Sequence, residues 1–137
     1  MIGRVSRITS AALLATTLPV LAVTPTPAAA DGPTIVALQT GDDGRTIMVA
    51  PGDEIHVRFF ARHAEHEDWS WDVPTTGSPD VLYQTHSTTE SNGDSSATYL
   101  VIGQGLGDLT AHRRCGADED HRCPPVNLPW KVLVFVR

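Results

Sequence analysis

The sequence predicts an all-β domain, an Ig-like β-sandwich of about seven short strands with one disulfide. Three observations carry that prediction. Turn-forming residues punctuate the chain roughly every eight to twelve positions. Between them, apolar residues alternate with period two, and no stretch sustains a 3.6-residue period. Two cysteines, Cys115 and Cys123, are the whole thiol complement, and in an exported chain a lone pair reads as a structural bridge.

Export is expected from the start of the chain. Arg4 and Arg7 precede an apolar stretch over residues 11–23 that Pro19 interrupts, and Ala28-Ala29-Ala30 supplies the small residues a signal peptidase needs. The stretch is too short to span a bilayer and reads as a secretory signal. Residues 1–30 are therefore assigned to a signal peptide and residues 31–137 to a single secreted domain. No hydrophobic tail follows, so no C-terminal anchor is expected. Removing Arg4 and Arg7 leaves 8 basic side chains against 16 acidic ones, a formal charge of −8. Such a domain repels polyphosphate and anionic lipid. Nucleic acid and membrane are excluded as expected partners.

Taken in order, TIVALQT (residues 34–40) opens the domain and runs toward Asp43-Gly44, a short hairpin signal, with RTIMVA (residues 45–50) beyond it. Pro51-Gly52 is the natural centre of a type II turn. DEIHVRFF (residues 53–60) alternates as a half-buried strand does, with Ile55, Val57 and Phe59 on one side and Glu54, His56 and Arg58 on the other. DWSWDV (residues 68–73) is the next strand, and its Trp69 and Trp71 are two apart, hence on one face. Trp71 is assigned to the core, as the third strand of such a sandwich commonly buries a tryptophan. Trp69 lies nearer the loop and is expected to be a half-exposed contact residue.

PTTGSPD (residues 74–80) breaks that strand, and VLYQTH (residues 81–86) resumes. STTESNGDSS (residues 87–96) has no apolar face and reads as a loop. ATYLVIG (residues 97–103) and DLTAHRRC (residues 108–115) flank Gln104-Gly105-Leu106-Gly107, a hairpin connection by its glycines. The segment from Cys115 to Cys123 closes a nine-residue loop, for which a bridge contributes about 2.5 kcal/mol on the chain-entropy model. PWKVLVFVR (residues 129–137) is the last strand, with Trp130, Val132, Val134 and Val136 sharing a face. A small β-barrel is the competing architecture.

Catalytic motifs are absent from this sequence. No Gly-x-Ser-x-Gly elbow occurs, both cysteines are assigned to the bridge, and the glycines of residues 103–107 lead into a strand rather than a helix N-terminus. The chain reads as a non-enzyme without a cofactor. His63 and His66 stand among Glu65, Glu67 and Asp68, and His121 stands in the acidic loop between the cysteines; these are the places where a divalent metal could be held. On a strand, however, His-x-x-His directs its rings to opposite faces, so no metal site is assigned.

Pro51-Gly52-Asp53 before an alternating strand, a loop running into Trp69-Ser70-Trp71, a Gly-containing connection and a final strand alternating in valine form an ordered set. The layout of residues 45–137 resembles the chagasin-like inhibitors of papain-type cysteine peptidases, and more closely small exported actinobacterial relatives with a late cysteine pair. The resemblance implies an Ig-like sandwich whose loops at one end occlude a peptidase cleft. In that family a Thr-Thr-Gly loop precedes the aromatic-x-Trp strand. Here Thr75-Thr76-Gly77 follows it, so the charged residues 62–68 occupy the first loop position. Asn92-Gly93 stands nearest the family's Gly-rich second loop. The third would begin at Arg113-Arg114-Cys115, with Leu128-Pro129-Trp130 a weak echo of its Arg-Pro-Trp.

The expected function is a secreted, monomeric binding module that sterically occludes a protein partner, a secreted cysteine peptidase by resemblance. Arg62, His66, Trp69, Arg113, Arg114 and Trp130 are its expected contact residues. The alternative is an extracellular structural or interaction domain without inhibitory activity, able to hold a divalent metal in its His/acid loop.

Overall fold

The alternation read along residues 53–60 holds in space: Ile55, Val57 and Phe59 are buried, while Glu54, His56 and Arg58 reach toward solvent. The same period-two rule builds most of the domain, because side chains of a strand point alternately to opposite faces and only one face meets a core. The computed structural model describes residues 22–27, 32–116 and 129–137. The chain falls into two units, Met1–Ala30 and Asp31–Arg137, and every described strand belongs to the second. These are β1 (Ile35–Leu38), β2 (Thr46–Val49), β3 (Glu54–Phe59), β4 (Arg62–Ala64), β5 (Glu67–Trp71), β6 (Thr75–Thr76), β7 (Leu82–Thr89), β8 (Ser95–Val101), β9 (Gly105–Cys115) and β10 (Pro129–Val136). The fold is all-β.

Two sheets enclose one core. The first has the order β1-β3-β8-β7, and the second runs β2-β10-β9-β5-β4 with β6 pairing on β9. Two sheets with free edges are a sandwich rather than the competing closed barrel. From the first sheet the inward side chains are Leu38, Ile55, Val57, Phe59, Leu82, Ala97, Tyr99 and Val101; the second supplies Ile47, Val49, Trp71, Leu109, Ala111, Trp130, Val132, Val134 and Val136. Phe59 joins the two layers at one end. Its ring stacks on Trp71 with centroids 4.6 Å apart and meets Trp130 edge-on at 4.9 Å. The Trp130 indole N–H donates to the Gln39 carbonyl at 3.1 Å. Tyr99 is buried with its hydroxyl donated to the Pro74 carbonyl, and burial pushes its phenol up to about 12.

Three segments differ from the sequence reading. Asp43-Gly44 does not close a hairpin. β1 runs parallel to β3 in one sheet, whereas β2 runs parallel to β10 in the other. The intervening residues, a short 3-10 turn at Thr40–Asp42 and then Asp43-Gly44, carry the chain from sheet to sheet. Gly44 has φ +78°, its N–H donates to the Lys131 carbonyl, and Asp43 accepts the Lys131 N–H. The glycine is needed for the crossing rather than for a two-residue loop. Residues 102–104 likewise lead from β8 in the first sheet to β9 in the second, not around a hairpin.

Half of residues 87–96 are strand. β7 continues to Thr89 and β8 begins at Ser95, leaving a turn over residues 90–94. The polar composition misled because β7 is an edge strand. Its ladder with β8 holds it, and most of its side chains face water. Cys123 lies outside the described residues, as do residues 117–122 of the expected Cys115–Cys123 loop.

The Phe59–Trp71 stack fixes how β5 sits against the first sheet. Trp71→Ala is therefore expected to cost about 3–5 kcal/mol of stability, measured as a shift in the urea midpoint. A loss below about 1 kcal/mol would place the ring outside the sealed interior.

Candidate functional site

β9 changes partner along its length, and that change builds the site. From Gly105 to His112 it pairs antiparallel with β10; beyond His112 it pairs with β5, in the register Trp69↔Cys115, Ser70↔Arg114, Trp71↔Arg113. β5 in turn carries β4, with Arg62↔Trp69, His63↔Asp68 and Ala64↔Glu67. A three-stranded ribbon thus extends past the end of β10. Residues directly opposite one another share a face. One face holds Arg62, Trp69, Trp71, Arg113 and Cys115, and the other holds His63, Asp68, Ser70 and Arg114.

The two faces have different chemistry. On the first, Trp71 lies in the core and Trp69 beside it is also buried. The Arg113 guanidinium covers the Trp69 ring with its carbon 3.9 Å from the ring centroid, a cation–π contact that desolvation strengthens. On the second face, Arg114 binds the Asp72 carboxylate at 2.6 Å. His63 pairs with Asp68 through Nδ1 and meets the Asn92 carbonyl with Nε2 at 2.8 Å. The Asn92 carbonyl first, and then Asp68, raise the His63 pKa above its ordinary value of 6.5.

The turn between β7 and β8 is bound against this second face. Ala61 N–H donates to the Asp94 carboxylate at 2.6 Å, and Trp71 N–H donates to the Gly93 carbonyl at 3.2 Å. Ser95 Oγ donates to the Asp72 carbonyl at 3.0 Å. Gly93 allows the approach. Its φ is +91°, and a Cβ there would stand 2.8 Å from the Ser70 Cβ and 3.2 Å from that of Ala61. Between hairpin and turn runs an open groove of about 390 Å³, lined among others by His63, Asp68, Asp72, Glu90, Asn92 and Arg114. The end of the sandwich therefore presents the β4–β5 hairpin, the residue 90–94 turn and the last residues of β9 together.

The residues expected to make contacts are distributed unequally over this end. Arg62 on β4, His66 in the β4–β5 turn and Arg114 are exposed, and Arg113 is half-buried. Trp69 is 5% exposed, not half-exposed, because Arg113 lies on its ring. Trp130 is 2% exposed. It points inward with Val132, Val134 and Val136, its N–H is satisfied by Gln39, and it has no surface to offer a partner. Arg113-Arg114-Cys115 do not begin a loop but continue β9.

Thr75-Thr76-Gly77 lies elsewhere: β6 pairs with β9 at Leu109 and Thr110, and Gly77 N–H is held by the Asp108 carboxylate. Both ring nitrogens of His63 are engaged, and among the described residues no group of three His, Cys, Asp or Glu side chains could hold an ion. What the sequence reading missed is that the residue 90–94 turn docks on the β4–β5 hairpin and belongs to this end. Asn92-Gly93 was the available signal, sitting as a turn pair inside a polar run.

No protein-family model matches this sequence, and no curated protein is similar to it in sequence. Among solved structures the chain is similar to the cysteine protease inhibitor EhICP2 of Entamoeba histolytica, with a TM-score of 0.57 and 12% identity over 79% of this chain and 100% of that one. It is similar to amebosin with a TM-score of 0.50 and 16% identity, over 77% of this chain and 100% of that one. At these identities the likeness is one of fold.

Gly93→Ala combines a left-handed backbone with a contact no Cβ can make. It is expected to destabilise the domain by about 2–4 kcal/mol, read from thermal or urea unfolding. A neutral outcome would mean that the turn does not dock on Ser70.

Proposed function

We propose that the protein is a secreted, monomeric binding module of chagasin-like, Ig-like architecture that occludes the cleft of a protein partner, a cysteine peptidase being the first candidate. One observation carries the reading: three chain segments from both sheets converge at one end and are cross-linked there before any partner arrives. Pre-ordered loops lose little entropy on binding, which suits steric occlusion. The fold shared with EhICP2, over that protein's full length, supports the same choice. A Cys115–Cys123 bridge would stiffen the connection between β9 and β10 and add to this order.

Arg62, His66 and Arg114 are the exposed side chains that would meet the partner, with Asn92 at the rim of the groove. Arg113 contributes indirectly, by holding Trp69 beneath it. Trp69 and Trp130 serve the interior. The charged hairpin replaces the small polar wedge that the resemblance would require. The partner's cleft should therefore accept a mixed-charge ridge, which favours charge complementarity over insertion of an apolar tip.

Purified protein titrated against papain and against peptidases from the organism's surroundings is expected to lower peptidase activity with saturable, one-to-one stoichiometry. No inhibition by micromolar protein would remove the reading. Arg114→Ala is expected to weaken partner binding roughly tenfold or more while unfolding at the same temperature. Arg113→Ala is expected to lower stability by about 0.5–2 kcal/mol through the uncovered Trp69 ring.

A further inference from the structure

We infer that His63 is a pH-sensitive clamp between the β4–β5 hairpin and the β7–β8 turn, closed by the imidazolium and opened when the ring loses its proton. The geometry carries this. Nδ1 faces the Asp68 carboxylate and Nε2 faces the Asn92 carbonyl at 2.8 Å. Both partners only accept hydrogen bonds. A neutral imidazole has one N–H and one lone pair, so it can satisfy one of them and must set its lone pair against the other. Only the doubly protonated ring donates to both.

The surrounding charges favour that form. Asp68 lies opposite on β5, and Asp94 in the turn acts on the ring through space. Glu90 from the turn lines the same groove. The cation that β9 brings to the groove, Arg114, is bound to Asp72 at 2.6 Å. Arg62 is next to His63 on β4 but projects from the opposite face. The Asn92 carbonyl and then Asp68 raise the His63 pKa above 6.5. A group whose folded pKa is raised contributes fully below its unfolded value and loses that contribution as pH climbs through the folded value. The clamp is therefore closed at acidic pH and opens as pH rises through the raised His63 value, above 6.5.

What opens is local. The turn keeps its bonds from Ala61 and Trp71, which need no proton. β4 is the element released: its three residues are all exposed and pair with β5 over three positions. Little apolar burial holds it, so a side-chain tie from outside the ladder has a large share in placing it. The clamp itself does not depend on the proposed inhibitory role. Its effect on partner contact, through Arg62 and His66, does rest on that reading.

The test is NMR on the purified, 15N-labelled protein across the neutral range. His63 is expected to titrate above 6.5, with both ring nitrogens protonated at the acid end. Amide protection in the Arg62–Trp69 ladder, corrected for intrinsic exchange, should fall several-fold across that titration. Asp68→Asn should lower the His63 pKa and move the protection step with it, and His63→Gln should abolish the step while leaving global unfolding nearly unchanged. A His63 that titrates at or below 6.5 would overturn the clamp. So would ladder protection that stays flat through its titration, or a step that persists in His63→Gln. None of these readouts uses a peptidase, so they separate failure of the clamp from failure of the inhibitor reading.

Discussion

Phe59 between two tryptophans is the contact on which the functional end depends. It rises from β3 in the first sheet and meets Trp71 and Trp130 of β5 and β10 in the second. Aromatic pairs in such stacked and edge-on arrangements contribute about 0.5–1.5 kcal/mol each beyond the area they bury. Their larger effect is positional. β5 has a ladder to β9 over just three residues, so its depth and rotation are set by where Trp71 is seated. Once Trp71 faces inward opposite Arg113, alternation decides the rest: Trp69 must follow it inward, and Ser70 must turn toward the Gly93 turn.

From that seating the two faces of the ribbon acquire separate duties. The Trp69 face is dry and is closed by a cation whose charge remains available to solvent at its edge. The Ser70 face is wet and is held by directional bonds to a turn of the opposite sheet. An acidic domain gathers Arg62, Arg113 and Arg114 at one pole among Asp68, Asp72 and Glu90. The pole therefore offers a patterned surface in place of a single-sign field, and patterned charge selects partners by arrangement more than by attraction.

The interior strands were legible in the sequence. Ile55, Val57 and Phe59 recur with period two, as do Trp130, Val132, Val134 and Val136, and a core on one side takes these sets inward. The inward direction of Trp71 was legible from its place on the third strand, where such a sandwich commonly buries a tryptophan. Trp130 shared a face with three valines and belonged to the core by the period-two rule, even though its chemistry suggested an anchor. Connections were less legible. Asp43-Gly44 signals a local reversal, but whether the chain returns to its own sheet or crosses to the facing one is decided by partners far away, β3 and β10. β7 was hidden because an edge strand needs hydrogen bonds to a neighbour and few apolar side chains. The site itself depended on register: which residue lies opposite Asp68, or how close Ser70 comes to Gly93, has no local signature.

The placement of β10 has a consequence for how the molecule comes into being. This strand lies between β2 and β9 in the second sheet, yet it follows both in the chain. A polypeptide emerging in order presents β2 and β9 with a vacancy between them, their amide rows unmet until β10 arrives to bridge Thr46–Val49 with Gly105–His112. Closure across so wide a separation is entropically slow. The second sheet therefore keeps an open seam between β2 and β9 until β10 has been made, however early the rest of the domain condenses.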